Sequence, residues 1–374
     1  MEKVHICHLV YSFDVGGLER VIANCINQLD RERFSHSIIA LTSVGAFIRE
    51  IDSPVKHYSL EKRIGNDFSS HLKLFKLLRK IKPDVLHSYN LATIEYHWMA
   101  LLAGVKYRVH AEHGRDTYDP DGKVNKYKLI RRICSPIIHK IIAVSDDLLQ
   151  WLQSDVRIPE KKLALVRNGV DTVYFNKNSI PVTDISKEEF RFVFGHVARL
   201  HGIKNQTLLI NSFLSACERD SKFCENCGLV LVGDGPDKTL LENLVKDNNV
   251  LKDKVKFTGA QQNVRSHYAS FDVFVMSSVA EGIPMTLLES MSMSVPHIVT
   301  SVGGIQEVIV QNETGLAVGS NDQASMTDAM LAMFASCENR ASMSFASRTR
   351  ITSQFSQSKM VADYAAIYLK QEMN

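Results

Sequence analysis

Nine residues, EGIPMTLLE (281–289), carry two carboxylates with seven residues between them, bracketing an apolar run that a glycine and a proline open. The stretch before them, FDVFVMSS (271–278), is short and rich in aromatic and β-branched residues, as a buried strand is. Pro284 suits the first turn of a helix, where its missing N–H costs nothing. The unit reads as strand, loop, helix, with Glu281 in the loop and Glu289 about one and a half turns into the helix. Ligands of open α/β sheets bind at the carboxyl ends of the strands, so both glutamates can face one ligand from different heights.

Other strand ends carry complementary groups. VARLHGIKN (197–205) sets Arg199 and Lys204 between a strand and a helix, a planar fork and a mobile point charge suited together to a diphosphate. DVGGLER (14–20) puts Gly16 and Gly17 between the first strand and first helix, where backbone N–H groups hold phosphate. It lacks the G-x-G-x-x-G spacing of dinucleotide dehydrogenases, and a diphosphate touched by backbone fits it better. HAEHGRD (110–116) ends a strand at His113. A lone histidine is more often a structural hydrogen-bonder, but at a strand end it can serve as acid, base or polar clamp. GDGPD (233–237) reads as ordinary helix punctuation, with Asp237 near a helix start.

Alternating elements position these loops. From KVHICHLV onward, strands alternate with helices at about 19–29, 69–81, 92–103, 125–138 and 145–153, and LALVRNGVD ends the series. Residues 176–190, polar and without apolar periodicity, read as a linker. The alternation restarts at RFVFGHVAR, with helices at about 204–217, 237–248, 261–269, 284–292 and 304–310, then two terminal helices. Such alternation predicts parallel sheets covered on both faces. The expected fold class is α/β: two doubly wound, Rossmann-like domains whose strand ends face an interdomain cleft.

The 374 residues exceed one ordinary core, and 45 % apolar with 23 % charged residues describes a globular protein. No run approaches the roughly 18 apolar residues of a membrane span, and the first strand, interrupted by His5 and His8, is not a signal peptide, so a cytoplasmic location is expected. Seven cysteines without a framework fit a reducing compartment, and Cys224 and Cys227 read as surface or packing residues. Residues 1–180 hold 27 Lys+Arg against 20 Asp+Glu, a balance of +7, although the whole chain carries +3. Much of this charge lies in KLFKLLRKIKPD (73–84) and KVNKYKLIRRICSPIIHK (123–140), where apolar residues interleave with cations at helical spacing. The first reads as a solvated helix face; the second suits a solvated face and an anionic bilayer equally. No nucleic-acid signature accompanies the charge.

GGLER, EHG, AVSDDL, NGVDTVYF, RLHGIKNQ, VGDGP, EGIPMTLLE and SVGGIQEVIVQNETGLAV, in this order, resemble the retaining glycosyltransferases of the GT-B fold, specifically glycosyltransferase family 4, over essentially the whole chain. The resemblance implies that Glu281 hydrogen-bonds the donor sugar, with the Ile283 and Met285 backbone N–H groups nearby. It makes Glu289 the ribose ligand, Arg199 and Lys204 the diphosphate pair, Gly17 the glycine approaching the phosphates, and His113 the sugar contact from the other domain. Two positions depart from the pattern: Ala198 and Ser294 stand where glycine is common. The implied domains are an acceptor-binding domain (1–180), a nucleotide-sugar domain (181–352) and a C-terminal helix (353–374) crossing back onto the first.

The activity implied by the resemblance is transfer of a sugar, with retention, from a nucleotide-diphosphate donor to a glycan or polyprenyl-diphosphate-linked glycan of a bacterial surface polysaccharide. Membrane contact is expected to be peripheral, and nucleic acid is not an expected partner. No Asp-x-Asp motif appears, so no metal and no cofactor beyond the donor substrate is expected. No side-chain nucleophile is evident either, which favours front-face attack with the departing phosphate accepting the acceptor's proton. Two rivals remain at this level: a nucleotide-sugar 2-epimerase of the same fold, and a catalytically silent scaffold that binds sugar nucleotide.

Overall fold

The computed structural model describes residues 3–65, 67–116, 118–181 and 190–370, which form two compact units. The first comprises Met1–Gly169 and Gln357–Asn374, the second Val170–Ser356.

The first unit is built on seven parallel strands: β1 (Val4–Val10), β2 (Phe34–Ala40), β3 (Lys56–Ser59), β4 (Val85–Tyr89), β5 (Tyr107–Glu112), β6 (Lys140–Ala143) and β7 (Leu163–Leu165). Their order is β3-β2-β1-β4-β5-β6-β7. Chain order reverses between β1 and β4, so this sheet's switch point, where α/β folds bind ligands, lies there. The central strands are buried along nearly their full length, as helices on both faces of a parallel sheet require. The sequence reading omits β3, whose KHYS is short, mostly exposed and polar, a composition suited to an edge strand.

Two helices are shorter than the periodicity predicts. The span 92–103 divides into Leu91–Ile94 and His97–Ala103, because Tyr96 and Trp98 donate to carbonyls only three residues back and break the regular ladder. The span 125–138 stops at Cys134 and continues as a 3-10 turn, Ser135–Ile137, since Pro136 has no N–H to offer. The terminal helix, Gln357–Tyr368, lies on this unit, where the Tyr368 hydroxyl meets His87 Nδ1 at 2.8 Å and the Gly169 N–H points at Met360 Sδ.

The second unit contains β8 (Phe192–Val197), β9 (Cys227–Val232), β10 (Val255–Gly259), β11 (Val273–Met276), β12 (His297–Thr300) and β13 (Gly315–Val318), all parallel, in the order β10-β9-β8-β11-β12-β13. Its switch point lies between β8 and β11. Gly195 in β8 lets the Phe271 ring pass, since a Cβ there would stand 2.1 Å from it. Ser294, where glycine is the expected residue, has φ +59°, so a side chain here occupies a left-handed position.

The units divide at 169/170 and 356/357 rather than at 180/181 and 352/353. Thr172 and Phe175 belong with the second unit because both accept hydrogen bonds from Arg348, and Val170 N–H donates to Phe355. Of the expected linker, residues 182–189 lie outside the described residues. All seven cysteines are free, with Cys224 packed against the second core and Cys227 opening β9.

Candidate active site

In the second unit the candidate residues Lys204 and Glu281 meet at the switch point. Lys204 ends a 3-10 turn after β8, and its Nζ lies 2.5 Å from Glu281 Oε1 in the loop after β11. Ser278 Oγ donates to the same oxygen at 2.7 Å. The two loops are also stitched through backbone, since Val279 N–H donates to Ile203 and Ser277 Oγ to the Lys204 carbonyl. Lys204 and Glu281 are thus held together where a ligand of this sheet would sit.

Gly303 reinforces the arrangement. Its φ is +50°, and a Cβ on it would stand 2.0 Å from the Glu281 carbonyl oxygen. Gly303→Ala must therefore displace the loop that presents Glu281. Misplacing a reacting group by about 1 Å can cost on the order of 100-fold, so steady-state assays should show kcat falling roughly 10- to 100-fold; an unchanged kcat would sink this view of the loop.

Arg199 is exposed beyond the end of β8, and its carbonyl accepts from Gln206. Gly233 and Gly235, in the loop read as punctuation, pass so close to Ala198 and Leu200 that a Cβ would stand about 2 Å from their carbonyl oxygens, so both glycines are packing requirements. Pro284 occupies the cap before the helix Met285–Ser292, one position earlier than the sequence suggests. Met285 therefore opens the helix, where an N–H has no intrahelical acceptor. Ile283 and Met285 are buried. Glu289 is only 3 % exposed, and its Oε2 accepts the Tyr268 hydroxyl at 2.9 Å.

In the first unit the corresponding edge carries the glycine loop, Asn90 and His113. Gly16 caps the helix Gly17–Gln28 in extended backbone. The Glu19 carboxylate folds back to occupy the space a Gly16 side chain would fill, so an internal anion sits at this helix terminus. His113 N–H donates to Asn90 Oδ1 at 2.8 Å, and its ring centroid lies 5.7 Å from that of Tyr89. Burial brings the His113 imidazole down to about 3, so the ring is neutral near pH 7. Its Nε2 is buried, with no hydrogen-bond partner among the described residues.

Beneath this loop lies a network that sequence reasoning missed. Glu112 is fully buried and receives two hydrogen bonds from Arg131, whose Nη2 also reaches Asp116 Oδ2 at 3.0 Å. Burial pushes the Glu112 carboxyl up, but the Arg131 charge and the hydrogen bonds from His110 and Arg131 outweigh it and bring it to about 2. Arg131 therefore faces inward and belongs to neither the solvated nor the bilayer-facing surface that this stretch equally suggested. The remaining surface of that helix keeps exposed Leu129, Ile133, Lys126 and Arg132. Lys128, Arg132 and Arg157 line an adjoining cavity of about 480 Å³.

Of the residues singled out in the sequence, Gly16, Gly17 and His113 belong to the first unit. Arg199, Lys204, Glu281, Ile283, Met285 and Glu289 belong to the second, where Lys204 and Glu281 touch directly. Ser278 and Asn90 had no sequence signal beyond their place after strands, and Tyr268, on the helix Arg265–Ser270, had none. Among the described residues no group of three or more His, Cys, Asp or Glu side chains is placed to hold a metal ion.

Residues 15–174 match the family described as Glycosyltransferase Family 4, and residues 191–336 match Glycosyl transferases group 1. The chain is 26 % identical to the Escherichia coli UDP-Gal:alpha-D-GlcNAc-diphosphoundecaprenol alpha-1,3-galactosyltransferase, covering 88 % of this chain and 87 % of that protein. It is also 26 % identical to a Campylobacter jejuni alpha-1,4-N-acetyl-D-galactosaminyltransferase whose name specifies a diphosphate-undecaprenol-linked glycan, covering 86 % of each. Among solved structures, Anabaena HepE in complex with UDP-glucose superposes with TM-score 0.81 at 18 % identity, over 98 % of this chain and 99 % of that one. With both parallel units matched and the fold shared, the chain belongs to glycosyltransferase family 4 and is a glycosyltransferase of the GT-B fold.

Proposed function

We propose that this glycosyltransferase moves a sugar, with retention of anomeric configuration, from a UDP-sugar to a glycan carried on a polyprenyl diphosphate in bacterial surface-polysaccharide synthesis. The observation that carries the reading is the Lys204–Glu281 pair at the β8/β11 switch point, a cation for the departing phosphate beside a carboxylate for the sugar. The UDP base and the lipid-linked acceptor are taken from the names of the relatives.

In this reading Arg199 joins Lys204 on the diphosphate, and in the first unit the Gly16 and Gly17 amides serve as phosphate contacts once Glu19 gives way. Glu289 takes the ribose hydroxyls and the Ile283 and Met285 amides lie against the sugar. In the first unit His113 is the sugar contact, a neutral ring that does not oppose positive charge growing at an anomeric carbon. The oxygen leaving with the nucleotide accepts the acceptor's proton as the new bond forms on the same face. Side-chain cations and backbone amides carry the leaving-group charge, so no divalent metal is needed. The exposed Lys126, Arg132, Leu129 and Ile133 support peripheral contact with an anionic bilayer on the cytoplasmic side.

Thermal-shift binding of the protein to UDP-, GDP-, ADP- and CMP-sugars in EDTA tests this directly. A UDP-sugar at 100 times its Kd should stabilise by about 2.7 kcal/mol, and Glu289→Ala should abolish most of the shift. A response to another nucleotide series, or to none, would overturn the donor assignment.

A further inference from the structure

Asn90 follows β4, one of the two strands that flank the first sheet's switch point. Its backbone is unusual, with φ +59° and ψ 169°, a combination essentially confined to glycine. Glycine would fit this bend without strain, yet the chain uses asparagine. The side chain supplies a reason: Oδ1 accepts the His113 N–H at 2.8 Å, while the Asn90 N–H donates to Ala111 at 2.8 Å. One residue thus ties the end of β4 to the end of β5 on both sides of Glu112.

The neighbouring residue completes the support. Tyr89 is buried, its hydroxyl meets His8 Nδ1 at 2.7 Å and His87 Nδ1 at 2.9 Å, and its ring lies beside that of His113. His113 is therefore held by its amide from Asn90 and flanked at its ring by Tyr89, while Nε2 has no hydrogen-bond partner among the described residues.

We infer that Asn90 is a positioning residue for sugar transfer, its carboxamide fixing His113 so that the imidazole meets the donor sugar in one orientation. This rests on the reading of His113 as a sugar contact, and the test separates the two.

Asn90→Gly, Asn90→Asp and His113→Ala are compared with the wild type in transfer from a UDP-sugar, measuring kcat, donor KM and Tm, with assays run well below the lowest Tm. Asn90→Gly relieves the backbone but deletes the acceptor. It should keep or raise Tm while lowering kcat about tenfold, with donor KM within about threefold, because the misplacement matters most in the transition state. Asn90→Asp retains an oxygen at the same reach and should restore kcat to within about threefold of wild type. Wild-type kcat in Asn90→Gly beside a strongly impaired His113→Ala overturns the positioning role alone. Wild-type kcat in His113→Ala overturns the sugar contact and this inference with it. Equal loss in Asn90→Gly and Asn90→Asp, tracking Tm, would reduce Asn90 to a structural residue.

Discussion

Lys204→Ala is expected to give a folded enzyme whose kcat is roughly 10²- to 10³-fold lower, the cost of removing one preorganised group from a developing anion. The fold should survive because Lys204 is anchored through its backbone: its carbonyl accepts from Ser277 Oγ, and the preceding Ile203 carbonyl accepts from Val279 N–H. Without donor, Glu281 engages the ammonium and keeps the long side chain from sampling other rotamers. A donor phosphate would draw the charge toward itself and release the carboxylate to a sugar hydroxyl. Lys204 and Glu281 should therefore act as one unit, with Lys204→Ala/Glu281→Gln losing far less than the product of the single losses. Single-turnover transfer in EDTA measures this; a Lys204→Ala rate within threefold of wild type would remove Lys204 from the mechanism.

The second large effect is acid unfolding driven by histidine. Burial lowers His36 and His196 to about 4 and His113 and His297 to about 3, from an ordinary 6.5. It also holds His8, His87 and His97 well below 6.5. The unfolded chain binds more protons than the folded one between those values and 6.5, so stability rises with pH across that window. The contribution is fully present above 6.5 and is lost as the pH falls toward 3–4. Each of the four histidines brought to about 3 or 4 costs about 2 kcal/mol between pH 7 and pH 5, and His8, His87 and His97 act in the same direction, against a total of roughly 5–15 kcal/mol for a typical domain. Glu112, already near 2, adds nothing until the pH falls below the ordinary carboxyl value of 4.5. Tm should therefore fall by at least about 10 °C from pH 7 to pH 5, with the first unit, which holds five of these seven histidines, melting first. A Tm constant over that range would refute the assignment.

Much of this architecture was legible in the sequence because strand and helix periods alternate cleanly and the chemistry sits at strand ends. The positions of Glu281, Lys204 and His113 after strands could be read because strand-loop-helix punctuation places them without knowledge of packing. Arg131 could not, since its partner Glu112 lies 19 positions away on another element and a cation in a basic run looks like its neighbours. Asn90 was hidden for a different reason: its role lies in a backbone angle and a cross-strand acceptor, and neither leaves a compositional trace. The unit boundaries moved because Arg348 captures two carbonyls more than 170 positions away, a contact no local pattern announces.

The discontinuity of the first unit has a consequence during synthesis. Its first 169 residues leave the ribosome together, but the helix Gln357–Tyr368, whose Tyr368 closes the hydrogen-bonded run through His87 and Tyr89, emerges only after the entire second unit. At roughly 5–20 residues per second, the nascent sheet waits on the order of 10–40 seconds with the seat of that helix exposed. For that interval the His87 ring lacks Tyr368 and the apolar surface around it is open to water. Completion of the first unit thus waits on synthesis of the second, even though its sheet is made earlier.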